Sequence, residues 1–220
     1  MRKTEFANDE YYHICNRGVD KREVFLDNFD YYRFLLSMQE FNRTDPIGSI
    51  FENSFRKDKK INSPVWGRVS VYKIEKLVEV VAYCLNPNHY HFILKQLSDN
   101  GISKFMLKLG SGYSSYFNNK TKRSGSLFQG PFKAIHINSN EYLLHVSAYV
   151  NCNSEIHGAH KADNYKWCSF PEYIGEKKGG LCNKEIILGQ FKNKEEYKEY
   201  ARTVAREMKN KKEMEKLLLE

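Results

Sequence analysis

The chain has 220 residues, 41% of them hydrophobic and 28% charged, which suits one domain, or one domain with appendages, that can bury a core. Lys and Arg outnumber Asp and Glu 35 to 27, a net charge of +8 that favours a polyanionic partner without separating nucleic acid from an acidic membrane surface. The opening MRKTEFANDE lacks the apolar stretch of a secretory leader, and the longest apolar run, 80–85, is too short for a bilayer. Five cysteines, odd in number and never in a C-x-x-C pair, argue against a zinc cage or a disulfide framework and for a reducing, cytoplasmic setting.

In chain order, residues 11–19 are aromatic and β-branched and read as a first strand, closed by Gly18. Asp27 or Asn28 can cap a helix carrying Phe29, Tyr32, Leu35, Leu36 and Met38 at helical spacing. Residues 44–63 read as a basic loop insertion, with Pro46, Gly48 and the run Arg56-Lys57-Asp58-Lys59-Lys60. A Val-dense strand is expected over 76–85, then the turn Asn86-Pro87-Asn88, then a return strand over 89–97.

Next come a helix over 102–118, a loop over 119–125, and a fourth strand over 126–137 that Gly130-Pro131 must bend. Asn138 or Ser139 caps a helix over 141–153; residues 157–180 are irregular, and 193–219 form a last, highly charged helix. The first six elements, β-α-β-β-α-β, predict an α+β, ferredoxin-like fold: an antiparallel sheet with helices on one face, extended here by C-terminal helix. Residues 1–155 then form the main domain, with 156–220 packed on it or extending from it.

His89 and His91 alternate on a strand, so their rings leave the same face while Tyr90 points the other way. Two imidazoles side by side make half a metal site, although H-x-H in a strand more often comes from coincidence or packing. Tyr149 and Asn153 lie four apart, on one face of the last core helix. Laid against the two histidines, that face would complete two imidazoles and an amide oxygen around a divalent ion, with a phenol in line to attack a phosphate. Helical periodicity alone favours the reading of Tyr149 as a plain core aromatic.

The segment NPNHYHFIL at 86–94 resembles the HUH motif (His, hydrophobic, His) of single-tyrosine transposases. YLLHVSAYVNCN at 142–153 resembles their catalytic helix, in which the tyrosine is followed four residues later by Asn or Gln. YHICNRG at 12–18 is similar to the family's opening strand, and SGYSSYFNNKTKRSGSLFQGPFKA at 111–134 to the segment joining the motif to the tyrosine in the branch associated with repeated palindromes. The chain is thus identified, over about 11–175, as similar to IS200-like transposases, nearest the REP-associated branch.

That resemblance implies that His89, His91 and Asn153 hold Mg²⁺ or Mn²⁺ and that Tyr149 is the nucleophile. It would attack single-stranded DNA near a hairpin, giving a 5′-phosphotyrosine and a free 3′-hydroxyl with no nucleotide cofactor. It implies a monomer or a homodimer. Two positions depart from the family pattern: Pro131 replaces a usual Arg, which bears on DNA binding, and Ser154 replaces the proline usual after the third ligand.

Composition supports the nucleic-acid side independently. No Asp or Glu occurs over 100–140, where Lys104, Lys108, Lys120, Lys122, Arg123 and Lys133 stand among aromatic residues that include Tyr113 and Tyr116. Cations track a phosphate backbone, and exposed aromatic faces stack unpaired bases. Tyr113 and Tyr116 are the rival nucleophiles. His145, one turn before Tyr149, reads as a surface residue, and His136, His157 and His160 have no partner at useful spacing. Two rival functions remain: a catalytically silent DNA- or RNA-binding module on the same fold, and a metal-dependent hydrolase that activates water.

Overall fold

The computed structural model describes residues 4–45, 50 and 75–217. The basic loop expected over 44–63, with Arg56 to Lys60, lies almost wholly outside the described residues, as does the end of the chain beyond 217.

Four strands form one sheet: β1 (Tyr11–Arg17), β2 (Val78–Asn86), β3 (His89–Gln96) and β4 (Lys133–Ile137), in the order β2-β3-β1-β4 and antiparallel at every step. That order is the ferredoxin-like one expected from the element pattern. The fourth strand is shorter than expected. Gly130, at φ +71°, and Pro131 turn the chain before Lys133, so the ladder starts only there.

Helix α1 (Asn28–Phe41) starts where Asp27 accepts the Asp30 N–H at 3.1 Å, and α2 is Gly101–Thr121. Both crossover helices cover the same face. Phe34 of α1 lies 5.4 Å from Tyr90 and 4.8 Å from Tyr113 of α2, ring centre to ring centre. Tyr12, Ile14, Tyr90, Phe92 and Leu94 point into this layer, all of them buried.

The other face is covered by α3 (Asn140–Asn151), capped by Ser139 on the Tyr142 N–H, and by the segments that follow it. These are α4 (Asn153–Ile156), α5 (Phe170–Tyr173), α6 (Glu185–Leu188) and α7 (Lys194–Leu217). The stretch before α5 runs along β2: Leu85 N–H donates to the Trp167 carbonyl and Ser169 N–H to the Tyr83 carbonyl, each at 2.9 Å. An edge strand that would otherwise offer open hydrogen bonds is thereby closed. Helix α7 braces α3 from behind, with the buried Tyr197 hydroxyl accepting from Asn151 Nδ2 at 2.7 Å. Among the described residues no helix is long and apolar enough to cross a membrane.

Candidate active site

Strand register places the chemistry. His89 and His91 of β3 face Asn86 and Cys84 of β2 on one side, and Arg17 and Cys15 of β1 on the other. Lys133 of β4 stands opposite Cys15, in the same row as His91. All these side chains leave the face covered by α3, because parity is kept across the ladder.

The hairpin turn that opens β3 is tied down on its outer side. The Pro87 carbonyl accepts from Val24 and Phe25 N–H at 2.7 and 3.1 Å, and Gly18 N–H donates to the Asn88 carbonyl at 2.9 Å. Gly18 has to be glycine, since a Cβ there would run into the Arg22 carbonyl.

Within this frame His89 is held at both nitrogens. Its Nδ1 lies 2.6 Å from Asn88 Oδ1, while the Asn88 amide N–H₂ donates to the Lys21 carbonyl at 3.1 Å. The proton of His89 therefore sits on Nδ1, and Nε2 keeps its lone pair. That Nε2 meets Asn86 Nδ2 at 3.1 Å and lies 3.3 Å from Asn153 Oδ1, which accepts from the same Asn86 amide at 2.8 Å.

Asn153 is delivered by a break in the helix: α3 ends at Asn151, Cys152 leaves helical geometry at φ −98° and ψ 11°, and Asn153 begins α4. Tyr149, one turn earlier, sets its ring edge-on to His91 at 5.4 Å and to His13 at 5.8 Å.

The imidazoles are neutral near pH 7. Burial pushes His13 down to about 4, and burial, with His157 nearby, does the same to His89; burial and the adjacent His13 hold His91 well below the ordinary histidine range. Burial raises the Tyr149 phenol above its ordinary value, with the Asn153 amide opposing it. The Asn153 Nδ2 is buried without a hydrogen-bond partner, an N–H group in want of an acceptor.

The donor set can hold the divalent ion that the resemblance implies. Two neutral imidazoles and an amide oxygen suit Mg²⁺ less than Mn²⁺, but they fit an open site that leaves positions for phosphate oxygens. The fit rests on the lone pairs of His89 Nε2 and Asn153 Oδ1, which converge where the Asn86 N–H₂ now holds both. Among the described residues no three His, Cys, Asp or Glu side chains group as a metal site, so the amide is needed to complete the set.

A cavity of about 280 Å³ opens over the two histidines, with Arg17, Gln129 and Lys133 on its rim. A larger one, about 570 Å³, lies between α2 and the segment before β4; it contains neither histidine. From the far side, the His157 ring stands 5.2 Å from that of His89, and Lys212 Nζ of α7 is 2.6 Å from His157 Nδ1. The absence of a partner for His157, expected from spacing, is thus corrected: the fold supplies partners from remote elements.

Of the residues expected at DNA, Lys133 stands with the histidines. The others lie on α2 or at its end, across the sheet. Tyr113 is a correction: it is fully buried, its hydroxyl donates to the Val24 carbonyl at 2.6 Å, and a ring so enclosed cannot stack a base or act as a nucleophile. Tyr116 donates to Asp30 Oδ1 at 2.9 Å.

Lys120 is paired with Asp27 and Asp30 at 2.7 and 2.6 Å, and Lys108 Nζ donates to the Arg43 carbonyl at 2.8 Å. Arg123 holds Asn118 Oδ1 and the Ser126 carbonyl at 2.7 and 3.1 Å, whereas Lys104 and Lys122 are exposed. Sequence reasoning overlooked His13, Arg17, Asn86 and Asn88. The last two flank Pro87 within the quoted motif, and the first two share strand parity with Cys15 inside YHICNRG.

Comparison with known proteins bears on the family and the fold. The model of the family described as "Transposase IS200 like" matches residues 53–153. A solved structure of a REP-associated tyrosine transposase bound to a REP hairpin is 13% identical; the match covers 83% of this chain and 93% of that one, with a TM-score of 0.53. At that identity the likeness is one of fold. No curated protein matches the chain.

Proposed function

We propose that this chain is an IS200-like transposase, the family whose model matches residues 53–153, and that it cuts and rejoins single-stranded DNA beside a hairpin, with Tyr149 as nucleophile. The observation that carries this reading is that Tyr149 of α3 and Asn153 of α4 meet His91 and His89 of β3, the two histidines that line the cleft. A hairpin as partner is favoured by the solved neighbour, which is bound to one.

The steps follow from the groups present. Arg17 and Lys133, on the cleft rim, receive the phosphate oxygens. Tyr149 Oη bonds to phosphorus and loses its proton; the bond from phosphorus to the 3′ oxygen breaks, and that oxygen takes up a proton. One phosphate ester replaces another, so no nucleotide cofactor enters, and attack by the 3′-hydroxyl on the phosphotyrosine reseals the strand. Mg²⁺ or Mn²⁺ held by His89, His91 and Asn153 would supply charge stabilisation at the phosphate. The orphan Asn153 Nδ2 donates to a phosphate oxygen or to the ionised phenol. On this reading the described residues after α4, up to 217, brace α3 through α7.

A hairpin oligonucleotide with a single-stranded flank, incubated with the protein and Mn²⁺ and run on a denaturing gel, tests the proposal. The transposase reading expects a covalent protein–DNA adduct. Cleavage without an adduct that persists in Tyr149→Phe would establish the hydrolase instead, and a native-gel shift with no cleavage the silent binding module.

A further inference from the structure

The two motif histidines are held in the same manner at the same nitrogen. His89 gives its Nδ1 proton to Asn88 Oδ1, an atom that can only accept. His91 has its Nδ1 2.9 Å from Nε2 of His13. For both rings to offer an Nε2 lone pair to one cation, the proton shared by His91 and His13 must sit on His91, with His13 Nε2 accepting it.

The His13 ring also stacks on His91 at 5.1 Å and 18°, and the Tyr149 ring meets both edge-on. On its strand His13 is flanked across the ladder by Ile93 and Ile135, a setting that an aliphatic side chain would fill without polar cost. The polar contact of its ring is with His91 Nδ1.

We propose that His13 is a positioning residue: by accepting from His91 Nδ1 it sets the tautomer and ring plane of that ligand, and with it the surface on which Tyr149 rests. The role rests on the reading of His91 as a cation ligand given above. Partners of this kind orient ligating imidazoles, and their loss typically weakens metal binding by ~10–100-fold.

Two variants of the full chain test it. His13→Phe keeps an aromatic ring against Tyr149 and removes the acceptor; His13→Gln removes the ring and restores an acceptor oxygen. Titration calorimetry with Mn²⁺ alone, without DNA, should show His13→Phe weakened by ~10–100-fold and His13→Gln substantially recovered. Hairpin binding in EDTA should be the same for parent and both variants, and adduct formation by His13→Phe should return as Mn²⁺ is raised.

Parental Mn²⁺ affinity in His13→Phe, or a His13→Gln no tighter than His13→Phe, would overturn the role while leaving the proposed function standing. A parent chain that takes up no Mn²⁺ and forms no adduct would overturn the proposed function, and this role with it. Should His13→Phe lose its fold by circular dichroism, His13→Leu takes its place under the same criteria.

Discussion

The two faces of the sheet are built from alternate residues of the same strands, yet they end in opposite states. On the α1 and α2 side, Tyr90, Phe92, Phe34 and Tyr113 pack ring on ring, and the Tyr113 hydroxyl is closed off by the Val24 carbonyl. On the α3 side, His13, His89, His91, Asn86 and Asn153 are also buried, but their polar atoms are not all used up: Asn153 Nδ2 is left over, and two lone pairs share one donor. Tyr113 is fully buried on the first face and Tyr149 half-buried on the second. The difference teaches that the tyrosine proposed as nucleophile is marked by an environment with unspent donors and acceptors.

The largest effect should come from breaking that contrast at the two tyrosines. Tyr149→Phe removes one oxygen and keeps the ring against His13 and His91. Hairpin affinity and fold should persist, while adduct formation in single-turnover assays falls by on the order of 10³-fold or more. Tyr113→Phe should do the reverse. It strands the buried Val24 carbonyl and should cost ~1–3 kcal/mol in denaturant unfolding, yet form adduct at the parental rate per folded molecule. If Tyr113→Phe abolished the adduct and Tyr149→Phe did not, the assignment of faces would be reversed.

A smaller effect is expected at Asn153. Asn153→Ala leaves the nucleophile and both imidazoles and deletes the amide oxygen, so adduct yield at fixed Mn²⁺ should drop by ~10–100-fold and recover as Mn²⁺ is raised. Tyr149→Phe should not recover at any concentration. A deficit in Asn153→Ala that excess metal leaves untouched would place the amide in packing, through its bond from Asn86, and not in cation binding.

Much of the site was legible because it is local. The H-x-H spacing, the Pro87 turn and the four-residue step from Tyr149 to Asn153 each follow from periodicity within one element. What stayed hidden depends on register and on remote charge. His13 joins the site only once β1 is paired with β3 so that Cys15 stands opposite His91, a choice that the residues of β1 alone do not dictate. The helix break at Cys152, which turns Asn153 towards His89, lay inside a stretch that reads as one continuous helix. The acid-free run over 100–140 read as a basic surface, but Asp27 and Asp30, far away in sequence, fold against Lys120 and neutralise it.

That last point yields the smallest and most discriminating expectation. Lys133 stands on the cleft rim with Arg17, whereas Lys120 is already paired with two carboxylates across the sheet. Each phosphate contact releases condensed counterions, so losing one should lower the slope of log affinity against log salt by ~0.7 for a single strand. Lys133→Gln should show that reduction in hairpin binding measured by fluorescence anisotropy over a salt series. Lys120→Gln should leave the slope unchanged, because its charge is spent on Asp27 and Asp30, and should instead lower thermal stability slightly by leaving the buried Asp30 without its cation. Equal reductions in both variants would mean that DNA wraps from the cleft around to the α2 face; a reduction in Lys120→Gln alone would move the binding surface off the catalytic face altogether.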